Sequence, residues 1–191
     1  MESGLNRSRT STLVLTALMM GVIMVLTMLI RVPSPTTKGY INLGDAAIFL
    51  SVIMLGKKNG AVAAGLGSAM ADALAGYMYF APWTLVIKGL MGFVTGVVLE
   101  KTMGRNGAAA RGVQIAGMIA GGVVMVTGYY FAEVIMYGSW AVPLVEIPLN
   151  ATQFTVGIII AAILTNALAK TPVGAGFAYP LIPSKKKSAE K

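Results

Sequence analysis

Seven polar side chains stand where an apolar sequence has least reason to carry them: Asp45, Asp72, Lys88, Glu133, Glu146, Asn150 and Gln153. A charge or carboxamide in a lipid-like segment is expensive enough to have a partner or a purpose. Residues three or four apart share one side of a helix, and this spacing sorts the polar groups into four faces. Ser68, Asp72 and Tyr79 form one, Thr84 and Lys88 a second, Tyr129, Tyr130 and Glu133 a third, and Glu146, Asn150 and Gln153 a fourth. Carboxylates, an ammonium and carboxamides together offer donors and acceptors in several directions. That lining suits a small heterocycle with several polar edges better than a fatty or highly anionic molecule. Trp83, Tyr130 and Trp140 are the aromatic candidates for stacking on such a ring.

Each group also has a plainer reading. Asp72 and Lys88 fall at similar depth on neighbouring antiparallel segments, so they either neutralise each other or contact a ligand. Asp45, three residues after Asn42, is either a site residue or a cap facing the positive end of its helix. Tyr77, Tyr79, Trp83, Tyr137 and Trp140 fit an interfacial aromatic belt as well as a stacking platform.

Several chemistries are excluded outright. The chain has no cysteine and no histidine, which removes disulfides, thiolate and imidazole metal sites, and Cys or His nucleophiles. No G-x-x-x-x-G-K-[ST] loop occurs, so the chain is not expected to hydrolyse ATP itself. Lone carboxylates at unrelated spacings do not make a catalytic or metal motif, and no enzyme activity, metal or cofactor of the chain's own is expected.

These side chains need long apolar elements to position them. Of 191 residues, 56% are hydrophobic and only 12% charged, with a mean hydropathy of +0.75. Such a chain is an integral membrane protein. The expected architecture is an all-α compact bundle of six transmembrane helices forming a single membrane domain over residues 1–191. Apolar runs bounded by charges, Pro or Gly place the spans near 11–31, 41–56, 60–79, 82–100, 112–137 and 147–169, the second being the shortest. Pro82 and Pro148 mark helix starts. Leu13 to Ile30 is too long for a signal-peptide core and is read as a retained first helix.

Charge sets the direction. Arg7, Arg9, Lys57, Lys58, Lys101, Arg105, Arg111, Lys170, Lys185, Lys186, Lys187 and Lys191 fall on one side, against Arg31 and Lys38 on the other. Twelve against two puts both termini in the cytoplasm, and makes the basic tail 170–191 a lipid-attracted anchor rather than a nucleic-acid site. With that orientation every candidate polar group lies in the outer half. The expectation is a cup open to the outside, covered by the Pro- and Gly-containing loop from Arg31 to Asn42 as a lid.

The strings "LGDAAIFLSVIMLGKKNGAVAAGLGSAMADALAGY", "APWTLVIKGLMGFVTG" and "EIPLNATQ" resemble the substrate-binding S component of energy-coupling factor (ECF) vitamin transporters, in the riboflavin-transporter-like branch. The likeness covers almost the whole chain. It implies a protein of the bacterial cytoplasmic membrane that takes a micronutrient from outside and docks on a membrane coupling subunit joined to two ATPases. It also directs the ligand toward a pyridoxine-like or hydroxymethylpyrimidine-like vitamin, with riboflavin and thiamine behind.

Ala17-x-x-x-Gly21 is a small-xxx-small face that permits close approach of another helix. In the family an Ala-x-x-x-Ala pattern on the first helix meets the coupling subunit, and here Gly replaces the second Ala. Packing inside the bundle is the alternative use of this face. For Gly92-x-x-x-Gly96 and Gly117-x-x-x-Gly121, intramolecular packing is expected. A stand-alone secondary transporter is the rival reading, and it favours polar groups in both halves of the bilayer with inverted repeats.

Overall fold

The computed structural model describes residues 8–34, 40–102 and 107–179. Five long helices account for most of them: α1 (Arg9–Leu29), α2 (Gly44–Leu74), α3 (Ala81–Leu99), α4 (Gly107–Tyr137) and α5 (Glu146–Leu168). All five are long and apolar enough to cross a membrane. Leu13, Leu29 and Ile135 are about 70% exposed on their outward faces, whereas Asp45, Asp72, Lys88 and Glu133 are buried. This inverted distribution is what a lipid solvent selects, because apolar side chains lose nothing by facing hydrocarbon and polar groups must find partners inside.

The six expected spans are carried by five helices, because the second and third both lie within α2. Gly56 interrupts α2 with φ 81° and ψ 174°, a backbone conformation essentially confined to glycine. The chain turns back there. A side-chain carbon on Gly60 would sit 2.6 Å from the Cα of Val52, although eight residues along a straight helix span about 12 Å. The reversal frees backbone groups, and the segment after α5 takes them up. Ala178 N–H donates to Met54 O at 3.3 Å, Tyr179 N–H to Ile53 O at 3.1 Å, and Lys57 N–H to the Tyr179 hydroxyl at 3.3 Å. Burial of Tyr179 raises its hydroxyl pKa above the ordinary phenol value, so it stays protonated.

The other boundaries shift by a few residues. α1 begins behind Ser8, whose hydroxyl accepts from Ser11 N–H at 3.1 Å. Pro82 is the second residue of α3, and α5 starts two residues before Pro148. The expected lid from Arg31 to Asn42 contains a two-stranded antiparallel ribbon at its described ends, β1 (Arg31–Pro33) and β2 (Tyr40–Asn42), with Val32 opposite Ile41. Lys38 lies outside the described residues, as do Arg7, Arg105 and most of the basic tail.

Small residues draw the helices together. A carbon added to Gly92 would meet Ala61 Cα at 3.1 Å, one on Gly96 would meet Lys57 Cα at 2.5 Å, and those on Gly117 and Gly121 would strike Leu99 and Thr95. These two motifs therefore pack inside the bundle, as expected. The Ala17/Gly21 face does not: Ala17 is exposed, and a carbon on Gly21 would meet nothing within 4 Å. The core beneath the ribbon joins Met19 and Ile23 of α1, Ile48 and Phe49 of α2, Met91 of α3 and Met118 and Met125 of α4.

Candidate functional site

All the polar side chains singled out above gather at the end of the bundle that carries the β-ribbon. Asp45, in the first turn of α2, is fully buried and anchors a chain of contacts across four elements. Lys88 Nζ of α3 lies 2.5 Å from Asp45 Oδ1, and Gln153 Nε2 of α5 donates to Asp45 Oδ2 at 2.9 Å. Gln153 Oε1 in turn accepts the backbone N–H of Asn42 in β2 at 2.8 Å. Lys88 Nζ also lies 2.9 Å from the Met125 sulfur of α4. Gly157 makes the approach of α5 possible, since a carbon there would fall 2.9 Å from Asp45 Cβ.

Two of the alternatives weighed from sequence are settled differently by this network. Lys88 pairs with Asp45 and not with Asp72. Nor is Asp45 a helix cap. The nearby backbone is served by Asn42, whose Oδ1 accepts from Gly44 N–H at 2.8 Å, while both Asp45 oxygens bind side chains.

Asp72 instead accepts the Tyr40 hydroxyl at 2.5 Å, with Thr84 also in hydrogen-bonding reach. Burial, reinforced by the Asp72 charge and hydrogen bond, drives the Tyr40 hydroxyl pKa far above that of a free phenol and keeps it a donor. The Tyr40 ring packs against Tyr77 at 4.6 Å between centroids, and the Arg31 guanidinium sits 5.8 Å from its centre. Thr84 shares a hydrogen bond of 3.0 Å with the Tyr129 hydroxyl.

Between these groups lies a cleft of about 370 Å³, counting its open mouth, lined by Tyr40, Asn42, Asp72, Phe80, Thr84, Tyr129, Asn150 and Gln153. It joins aromatic rings to carboxamide, carboxylate and hydroxyl edges, the composition of a small-molecule site. Of the expected site residues, Asp72, Asn150 and Gln153 line it directly. Asp45 and Lys88 sit behind Gln153 as its support. Glu133 is buried one helical turn beyond Tyr129, with Glu146 close enough to act on it electrostatically.

The aromatic candidates fall elsewhere. Trp83 packs half-buried against the apolar core. Trp140 is 65% exposed and clusters with Tyr130 and Phe131, and the Tyr130 hydroxyl donates to Trp140 O at 3.1 Å. None of the three is among the residues lining the cleft, which is given its rings by Tyr40, Phe80 and Tyr129. Tyr129 was visible in the sequence one turn from Glu133. Tyr40 and Phe80 carried no periodic signal, because one lies in a three-residue strand and the other in a turn.

Comparison with known proteins agrees with this architecture. The family model described as ECF-type riboflavin transporter, S component, matches residues 7–170. An uncharacterized protein of Pyrococcus woesei is 40% identical over 114 residues, covering 60% of this chain and 72% of the relative. The thiamine precursor transporter HmpT of Lactococcus lactis subsp. cremoris (strain MG1363) is 27% identical over 166 residues, covering 86% of this chain and 92% of its own. A solved structure described as the S component of a bacterial ECF transporter superposes with a TM-score of 0.65 at 18% identity, over 85% of this chain and 97% of the other, and so shares the fold. The chain belongs to the ECF-type riboflavin transporter S component family: it is a membrane transport component and not an enzyme.

Proposed function

We propose that this S component binds a small vitamin or vitamin precursor at the outer face of the cell membrane, in the cleft beneath the β-ribbon. The observation that carries this reading is the convergence of Asp72, Asn150, Gln153, Tyr40, Phe80 and Tyr129 on one open cleft at one end of the bundle. Six passes, with the chain reversing at Gly56 and both termini in the cytoplasm, put that cleft outside, and the twelve-to-two distribution of Lys and Arg supports this orientation. A reporter active only outside the cytoplasm, fused to the C-terminus, stays silent if the orientation is correct.

The bound molecule is a flat heterocycle of the hydroxymethylpyrimidine or pyridoxine type. Its likeness over most of its length to a relative named for a thiamine precursor supports that choice. Riboflavin is the second reading, favoured by the description of the matching family model. Import then follows docking through Ala17 and Gly21 on a membrane coupling subunit with two ATPases, as the exposed small face of α1 supports.

Mass spectrometry of the molecule released from protein purified out of its native host identifies the ligand directly. Uptake of that molecule is expected to stop when the ATPase partners are deleted. Uptake that persists without them returns the chain to the class of stand-alone transporters.

A further inference from the structure

Gln153 lines the cleft, and the partners of its carboxamide leave that group one orientation. Its Oε1 accepts the backbone N–H of Asn42 at 2.8 Å, and its Nε2 donates to Asp45 Oδ2 at 2.9 Å. Turning the amide over would set its NH2 against a backbone N–H and its carbonyl oxygen against a carboxylate, so both ends resist the change. The second Nε2 hydrogen has the Met125 sulfur as its acceptor, at 3.6 Å. No donor of Gln153 is left for the cleft. What it can offer there is the second lone pair of Oε1.

Asp45 holds this polarity from behind the cleft. It is fully buried, and its other oxygen, Oδ1, lies 2.5 Å from Lys88 Nζ, which leaves Oδ2 to face Gln153. A carboxylate paired with an ammonium accepts and does not donate, so its partner on Gln153 has to be the NH2. Nor can α5 move off to relax the contact. Gly157 shares the helix face of Gln153 one turn on, and a carbon there would fall 2.9 Å from Asp45 Cβ.

We infer that Gln153 meets the bound molecule only as an acceptor, with Asp45 as the positioning residue that sets this polarity, so that the ligand turns a donor toward α5. An amino group, a ring N–H or a hydroxyl satisfies Oε1. A carbonyl, carboxylate or phosphate oxygen at that edge would face it with no hydrogen between them. This inference rests on the proposed capture of a vitamin-type molecule in the cleft and specifies one edge of that molecule.

Pairs of ligands that differ by one donor test it on the full chain purified in detergent. They are 4-amino-5-hydroxymethyl-2-methylpyrimidine and the same ring with methyl in place of the amino group, pyridoxine and 4-deoxypyridoxine, and riboflavin and 3-methylriboflavin. In at least one pair the donor member is expected to bind roughly tenfold more tightly, the scale of one buried hydrogen bond. Gln153→Met keeps the length of the side chain and removes the acceptor, and should bring that ratio to within about twofold of one. In Asp45→Asn, Lys88 retains the new Oδ1 and turns Nδ2 toward Gln153, which calls for the amide to turn over. The donor preference should then vanish or reverse. The double variant Asp45→Leu/Lys88→Met strands no charge and provides the readout if either single variant does not fold. With Nε2 unanchored, its ratio should fall below about threefold.

Equal affinity within every pair in the wild type overturns the inference, as does a donor preference that survives in Gln153→Met. A preference lost in Gln153→Met but intact in the folded Asp45 variants overturns the positioning role of Asp45. Failure of all six molecules to bind the folded wild type overturns the proposed function itself.

Discussion

Lys88 reaches past Asp72, its neighbour in depth, to place its Nζ 2.5 Å from Asp45 Oδ1 at a site where both side chains are almost wholly buried. The pair ties α2 to α3, and Gln153 extends the tie to α5 and, through Asn42, to the β-ribbon. This arrangement gives the opening carboxylate of α2 a structural purpose, since it fixes the orientation of a side chain that lines the cleft.

Removing one member of that pair strands the other charge. Asp45→Asn or Lys88→Met should therefore destabilise the protein by about 3–5 kcal/mol. The double variant should be less damaged than the sum of the two. Thermal unfolding in detergent, run as a double-mutant cycle, measures the coupling, and additive effects would show that the pair contributes nothing as a pair.

Asn150 faces the cleft from α5, one turn before Gln153. Its truncation removes a hydrogen-bonding edge without touching the ion pair. Asn150→Ala should weaken ligand binding about five- to a hundredfold, from a loss of roughly 1–3 kcal/mol. The melting temperature should stay near that of the wild type, and titration of the purified variant with the native ligand reads the affinity. Wild-type affinity would remove Asn150 from the site.

The placement of the rings separates two sets of aromatics. Tyr129 lines the cleft, whereas Trp140 is exposed and packs on Tyr130 and Phe131. Tyr129→Leu is expected to cost ligand affinity by roughly tenfold, on the scale of about 0.5–1.5 kcal/mol for an aromatic contact plus a lost hydrogen bond. Trp140→Leu should leave affinity within about twofold, for loss of a belt residue touches no ligand. The reverse pattern in fluorescence titrations would put the stacking platform back at Trp140.

Much of this fold was legible because the lipid environment writes itself into composition. The apolar runs marked the helices, and the level shared by Asp72, Asn150 and Gln153 marked the cleft. Pairing was not legible. Asp72 and Lys88 are at matching depth, but depth says nothing of rotation about the helix axis, and the ammonium faces Asp45 instead. The break at Gly56 was legible as the end of the second span, but not its tightness, since Gly-Lys-Lys reads as an ordinary loop. Only the three-dimensional structure reveals that a single residue reverses the helix while its freed carbonyls bond to a segment more than 120 residues later. The strands at Arg31–Pro33 and Tyr40–Asn42 are too short to show alternation.

That remote segment makes a prediction about the reversal. The Tyr179 hydroxyl accepts the N–H of Lys57, at the first position after Gly56, and its ring packs with Val52, Ile53 and Leu99. Tyr179→Phe removes only the hydrogen bond and should cost about 1 kcal/mol. Tyr179→Ala also opens a cavity and should cost about 3–5 kcal/mol, as large-to-small changes of buried aromatics do. Hydrogen exchange should accelerate around Gly56 in the second variant. Unchanged exchange there would mean that the reversal is held by its own packing.

The last prediction concerns a small-residue face on α1 that the bundle does not use. The Gly92/Gly96 and Gly117/Gly121 motifs are filled by neighbouring helices, so a bulky residue in either should disrupt the fold. Ala17 is exposed and Gly21 opens onto nothing within 4 Å, so Gly21→Trp should fold normally, bind ligand with unchanged affinity and melt where the wild type does. What it should lose is close approach of a partner helix, because small-xxx-small contacts depend on backbones coming near enough for their packing to count. Co-purification with the coupling subunit and ATPases is expected to fall, and uptake with it. An assembled, transporting Gly21→Trp complex would show that the coupling subunit docks elsewhere and that the open face of α1 meets only lipid.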